Sequence, residues 1–212
     1  MEKNNGKIVA VVALVVAVVS LSVGFAAFAA TLTIDSNATV KANDEFSPNV
    51  NYVQGSPKCY YTGDTTKAAI DGASAGTASG KTWTGVSVPL TTEHKSVTCE
   101  AQISNTSAYV AKLNKISISD YLSCASVAAS GDDAATNVST ICPTVSAKVD
   151  VATDTATFTS TNKADVTSVT STIDKDNGTE MVYLTIAYTS TVAADGDIKI
   201  TVPTISLLYK TA

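Results

Sequence analysis

The chain contains no arginine, since all 14 of its basic residues are lysines. Bidentate guanidinium clamps on phosphate or carboxylate are therefore excluded. Histidine and tryptophan occur once each, as His94 and Trp83, in 212 residues. With so little imidazole, most acid–base and metal chemistry has no carrier: no HExxH pair, GxSxG elbow or phosphate-binding glycine loop is present. His94 lies in the polar run TTEHKS and reads as a solvated turn residue. It is also the sole base available to any cysteine nucleophile, so a secreted hydrolase is the weakest reading and no enzyme activity or cofactor is expected. The formal net charge of −5 lacks the basic footprint that nucleic acid requires.

Long apolar runs are also scarce, and the single one stands at the amino terminus. Met1 to Lys7 holds Lys3 and Lys7 against Glu2, and Ile8 to Ala30 then carries no charge. A basic region, an apolar stretch and a small-x-small ending at Ala27-Phe28-Ala29 predict a signal peptide over 1–29, cut between Ala29 and Ala30 by a signal peptidase. A retained anchor is the alternative, because the run reaches the ~20 residues that cross a bilayer as a helix. A type IV pilin leader fits less well: cutting after Gly6 would leave Val11 at the fifth position, where such leaders carry Glu. The carboxyl end, LLYKTA, has neither a hydrophobic tail nor a sorting motif, so membrane contact is expected only through an uncleaved first segment. A product starting at Ala30 loses Lys3, Lys7 and Glu2, leaving 12 basic and 18 acidic residues in one domain, 30–212.

Four cysteines, Cys59, Cys99, Cys124 and Cys142, lie in the exported part, where an even count predicts two disulfides. Of the three pairings, Cys59–Cys99 with Cys124–Cys142 is favoured, because the second closes a short polar loop. Zinc is the alternative, but no spacing is C-x2-4-C.

The remaining texture is Thr, Ser, Val and Ala in short alternating runs, which is strand texture. One parity collects Leu32, Ile34, Ala38 and Val40, and another Val97, Cys99, Ala101 and Ile103. Val182, Leu184, Ile186 and Tyr188 line one face of MVYLTIAYTS, and Asp195-Gly196 predicts a tight turn into Ile198, Ile200 and Val202, hence a hairpin. After Pro203 the parity passes to Ile205, Leu207 and Tyr209, as a bulge or bend would cause. Asn177-Gly178 predicts a second turn, joining a strand over Val166 to Ile173 to the one from Met181. Thr65 to Ile70 offers the one weak helical pattern, and loop insertions are expected near 63–82 and 124–142, in DGASAGTASG and around Ala128 to Thr136. Nine to eleven short strands without a βαβ rhythm predict an all-β, antiparallel, jelly-roll-like sandwich.

Three sets of residues are candidate sites. Trp83, with Tyr60 and Tyr61, offers rings for a glycan if exposed and core if buried. Asp174, Asp176 and Glu180 flank Asn177-Gly178 like a calcium loop, although the glycine is one position early and the Glu too close for an EF-hand. Asn37, Asn105, Asn137 and Asn177 each begin an N-x-S/T sequon, which in a chain this rich in Asn, Ser and Thr reads as chance.

The junction VVSLSVGFAAFAATLTIDSNATV resembles the amino-terminal region of the bacterial camelysin and TasA-like secreted proteins. It has the same apolar helix ending in Gly24-Phe25-Ala26-Ala27-Phe28, and a strand starting at once after an Ala-rich cleavage zone. A looser likeness runs through Ser96 to Asn105, Ala111 to Ile118 and Tyr183 to Tyr209. The resemblance implies export through a SipW-type signal peptidase and assembly into fibres of biofilm matrix. The cysteines depart from the fibre-forming members, and no metal-ligand set supports the protease activity attached to camelysin.

From these features a secreted or cell-surface structural protein is expected, whose partners are its own copies or cell-envelope components. Cleavage would free Ala30, Thr31, Leu32, Thr33 and Ile34 as a strand at the chain end, suited to pairing with an exposed edge on a neighbour. The alternative, from a different class, is an adhesin-like module that binds a glycan or other extracellular ligand.

Overall fold

The computed structural model describes residues 49–55, 57–127, 137–191 and 198–212, together with Val15. The expected signal segment, its cleavage residues Ala27, Ala29 and Ala30, the donor strand Ala30 to Ile34, and the turn Asp195-Gly196 lie outside the described residues. Contacts divide the chain into Met1–Lys41 and Ala42–Ala212, and every strand below belongs to the second unit.

That unit is the expected all-β sandwich of two antiparallel sheets. Sheet A runs β1 (Val50–Tyr52), β5 (Ser96–Asn105), β11 (Gly178–Tyr188), β8 (Val145–Val151) and β9 (Asp154–Thr159), with β2 (Lys58–Tyr61) following β1 along the same edge of β5. Sheet B contains β3 (Ser74–Ser79), β4 (Thr82–Leu90), β6 (Ala111–Ile118), β7 (Ser123–Ser126), β10 (Thr172–Ile173), β12 (Ile198–Val202) and β13 (Ile205–Thr211). The chain changes sheet at most of its connections, which is the jelly-roll habit.

Alternation explains the core. The parities read from sequence are the buried ones: Val97, Cys99, Ala101 and Ile103 on β5, Val182, Leu184, Ile186 and Tyr188 on β11, and Ile198, Ile200 and Val202 on β12. The inward faces of both sheets meet around Trp83 and Phe158, both fully buried. A strand shows one side to the core whichever strand it pairs with, and this accounts for two corrections. The expected β11/β12 hairpin does not exist: β11 pairs with β5 and β8 in sheet A, whereas β12 pairs with β4 and β7 in sheet B. Likewise β10 pairs with β6, so the Asn177 turn passes between sheets and closes no hairpin.

The parity change after Pro203 is a shared bend. The β4 register continues from Ile198↔Leu90 and Val202↔Val86 to Ile205↔Trp83, which sets Pro203 opposite Gly85. On the other side of β4 the pairs Ala75↔Val86 and Thr77↔Thr84 set Gly76 opposite Gly85 as well. Gly76 and Gly85 have φ of 71° and 73°, and a Cβ at Gly76 would collide with the Thr84 carbonyl. Glycine is required where backbones approach so closely at positive φ. The bend carries Trp83 inward on one side of the line, and Val86, Val88 and Leu90 inward on the other. The segment 63–82, expected as a loop insertion, therefore contains an edge strand, β3, which its small residues allow to lie close against β4. Thr65 to Ile70 forms a turn and irregular chain instead of helix, with the Asp64 carboxylate accepting from the Thr66 and Ala68 amides.

Candidate functional site

Both disulfides are the expected ones, Cys59–Cys99 and Cys124–Cys142, and no described cysteine is free. Cys59 and Cys99 stand directly opposite each other on β2 and β5 and are buried, so this bridge fixes the register of an edge strand. Cys124 on β7 belongs to sheet B, and Cys142 lies in the helical turn leading into β8 of sheet A. The second bridge thus ties one sheet to the entry of the other. Two such bridges are compatible with an extracellular environment.

Around the first bridge the outer face of sheet A carries a compact polar cluster. Glu100 points away from the core, yet it is only 3% exposed, because β2 and residues 62–70 cover it. Its Oε2 accepts from the Tyr60 hydroxyl at 2.9 Å and from Lys67 Nζ at 2.7 Å, and its Oε1 pairs with Lys58 Nζ at 3.0 Å. Burial pushes the Glu100 carboxyl up, but the hydrogen bonds from Lys67, Lys58 and Tyr60 outweigh it and hold the group below the usual carboxylate range. Lys67 has a positive φ of 50°, places its ammonium 5.1 Å from the centre of the Tyr60 ring, and is itself shifted upward by Glu100. Thr62 extends the cover through its hydroxyl, 2.9 Å from that of Thr98. Sequence reasoning missed this cluster, because Lys58, Lys67 and Glu100 are brought together only by the pairing of β2 with β5.

The residues expected to bind a ligand do not form one platform. Trp83 is fully buried in sheet B, donates from Nε1 to the Ala75 carbonyl at 2.7 Å, and lies 6.1 Å from the Tyr52 ring. Tyr60 is buried beneath Lys67 on the outer face of sheet A. Tyr61 stacks on His94 at 3.8 Å, bracing β2 against the β4–β5 turn, where the His94 amide donates to Thr91 Oγ1. Exposed rings that the sequence did not single out are Tyr109, Tyr121 and Tyr183, the last on β11 between Glu100 and Asp150.

Nor do Asp174, Asp176 and Glu180 converge on a cation site. Among the described residues no group of three potential ligands is close enough to hold a metal. Asp176 lies 3.7 Å from Lys175, and Glu180 accepts from the amide of Met181. The turn is held instead by Asn105, which is fully buried. Its Nδ2 donates to the carbonyls of Tyr109 and Asp174, while its Oδ1 accepts from Ser107. All of the Asn105 amide is thereby engaged inside the protein, so this sequon is no glycan acceptor.

The free edge of sheet A is the other feature of note. At Thr159 the amide donates to Asn162 and the carbonyl accepts from Leu122, so the odd-numbered residues of β9 turn their backbone away from β8. By the same alternation Thr155 and the amide of Thr157 face outward, and both residues are exposed. No strand among the described residues pairs with this side of β9. Known protein families and curated proteins were compared with the chain, and none matches it.

Proposed function

We propose that this chain is an exported structural protein, a β-sandwich subunit that associates with its own copies at the cell surface. The free outer edge of β9 is the observation that carries this reading. Its sequence, DTATFT, has neither the lysine nor the proline that commonly blunts a sheet edge. The outward amide and carbonyl of Thr155 and the amide of Thr157 suit addition of an extended strand, while the outward groups of Thr159 and the Thr157 carbonyl are taken by Asn162 and Leu122. The alternating stretch Ala30-Thr-Leu-Thr-Ile supplies such a strand, and cleavage after Ala29 places it at the chain end. Camelysin and TasA-like resemblance at the same junction points to the same class of protein, with export preceding assembly.

The test is negative-stain imaging of the cleaved protein. Wild type forms filaments; deletion of Ala30 to Ser36 abolishes them while circular dichroism reports an intact sandwich. Thr157→Pro, which removes one outward amide and no bond to β8, abolishes them too. Filaments that persist in the deletion variant would refute donation by that strand, and persistence in Thr157→Pro would refute β9 as its acceptor.

A further inference from the structure

Between the edge strands β2 and β3 lies a half-open groove of about 370 Å³, within the range of small-molecule sites. Ala69, Ile70, Ala73 and Ala75 give it an apolar wall, and Lys58 and Lys67 also line it. Both lysines pair with the same carboxylate, Glu100, and with no other acid among the described residues. Asp64, three residues before Lys67, engages both its oxygens with Thr66 and Ala68. Lys58 and Lys67 set against Glu100 leave the lining with one positive charge in excess, since neither Asp64 nor Asp71 is among the lining residues or in an ion pair with either lysine, in a protein whose net charge is −5. Each ammonium has three donors and spends one on Glu100, which leaves donors for a second anion while Glu100 holds both lysines in position. Lys67 is further restrained by its position over Tyr60.

We infer that this groove binds an aliphatic carboxylate of medium chain length, its tail against Ile70 and the three alanines and its head group shared by Lys58 and Lys67. Charge complementarity selects the head, and the small apolar wall selects an unbranched tail over a ring. An extended acidic peptide would satisfy the same charge, but it would press a polar backbone against the apolar wall of Ala69, Ile70, Ala73 and Ala75. The inference is independent of the proposed self-association, which uses the opposite edge of sheet A.

Amide NMR of the intact, oxidised protein titrated with decanoate below its micellar concentration tests it. Saturable shifts are expected at Ala69, Ile70, Ala73 and Ala75, with decanol at least tenfold weaker. Lys58→Gln and Lys67→Gln should each weaken decanoate several-fold. Ala73→Leu, which fills the groove and leaves the charge cluster untouched, should abolish the shifts in a spectrum otherwise unchanged. Equal binding of decanol overturns the inference, because the lysines then read nothing. Absence of saturable shifts overturns it, as does an acidic peptide that shifts Cys59 where decanoate shifts nothing. The decanol comparison uses wild-type protein and so does not depend on any variant folding.

Discussion

In sheet A, β5 and β11 stay paired without a shift from Asn105↔Gly178 to Ser96↔Ala187, whereas in sheet B three neighbouring strands change parity partway. β4 turns at Gly85, the β12–β13 run turns at Pro203, and β6 carries a bulge where Leu208 and Tyr209 pair with Lys115 and Leu113. One sheet is stiffened by side chains and the other is shaped by backbone. Sheet A is locked at its edge on both faces, by the Cys59–Cys99 bridge on the core side and by the Glu100 cluster on the outer side, so its long strands run on in register. Sheet B bends, and at two of these places, Gly85 and Pro203, it sets a residue that relaxes or restricts φ, while β6 accommodates the third with one extra residue. The lesson is that a sandwich closes its core with one regular sheet and one that curls over it.

The largest expected effect comes from the disulfides, which serve the sheets unequally. In the chain-entropy view, removing a bridge that spans 40 residues costs about 4 kcal/mol, and one that spans 18 costs about 3 kcal/mol. Cys59→Ala/Cys99→Ala should therefore destabilise more than Cys124→Ala/Cys142→Ala in urea denaturation. Hydrogen exchange should further show opening confined to β2 and residues 62–70 in the first variant, and to β7 with the turn before β8 in the second. A reversed order would mean that the loop-closing bridge, not the register-fixing one, holds the fold.

Next is the Glu100 cluster. Its carboxyl has a folded-state pKa below the ordinary 4.5, so the stability it adds is fully present above that value and is lost as pH falls through the lower folded one. Glu100→Gln should cost about 2 kcal/mol at pH 7, the scale of charge-assisted hydrogen bonds to a buried group. It should also flatten the acid limb of a plot of stability against pH. Asp154, lowered despite its burial by bonds from Ser171 and Thr170, contributes to the same limb, so some acid dependence survives the substitution. An acid limb identical to wild type would remove Glu100 from the account of sheet A.

The smallest effect separates backbone from side-chain control. Gly76→Ala should cost about 1 to 2 kcal/mol, because it combines a positive φ with collision against the Thr84 carbonyl. Gly85→Ala meets only the Cα of Gly76, at 3.8 Å, and should cost less. Thermal melts of the two variants rank them directly. Equal losses would show that φ alone matters and that the close approach of β3 does not.

The parities of β5, β11 and β12, the bend at Pro203 and both disulfides were legible in the sequence because each is a local signal: alternation, a missing amide, an even cysteine count. Strand partners were not, as the absent β11/β12 hairpin shows, since alternating residues look the same whether the next strand pairs alongside or crosses to the other sheet. The choice between ligand ring and core for Trp83 was not legible for a related reason. Trp83 gives no sign in sequence of which side of β4 it occupies, because the parity of that strand changes two residues later at Gly85. Small residues from Ser74 to Ser79 read as a loop, although smallness is what lets β3 pack against β4.

What the sequence determined by itself was which side of most strands is apolar, and therefore that the chain folds as a two-layered β structure with paired cysteines. Which sheet each strand joins was decided only in three dimensions, since pairing energy depends on neighbours brought together from residues tens of positions apart. The Glu100 cluster and its groove follow from that decision. Lys58, Lys67 and Glu100 carry no motif in the chain, and they become one charged site only when β2 lies against β5.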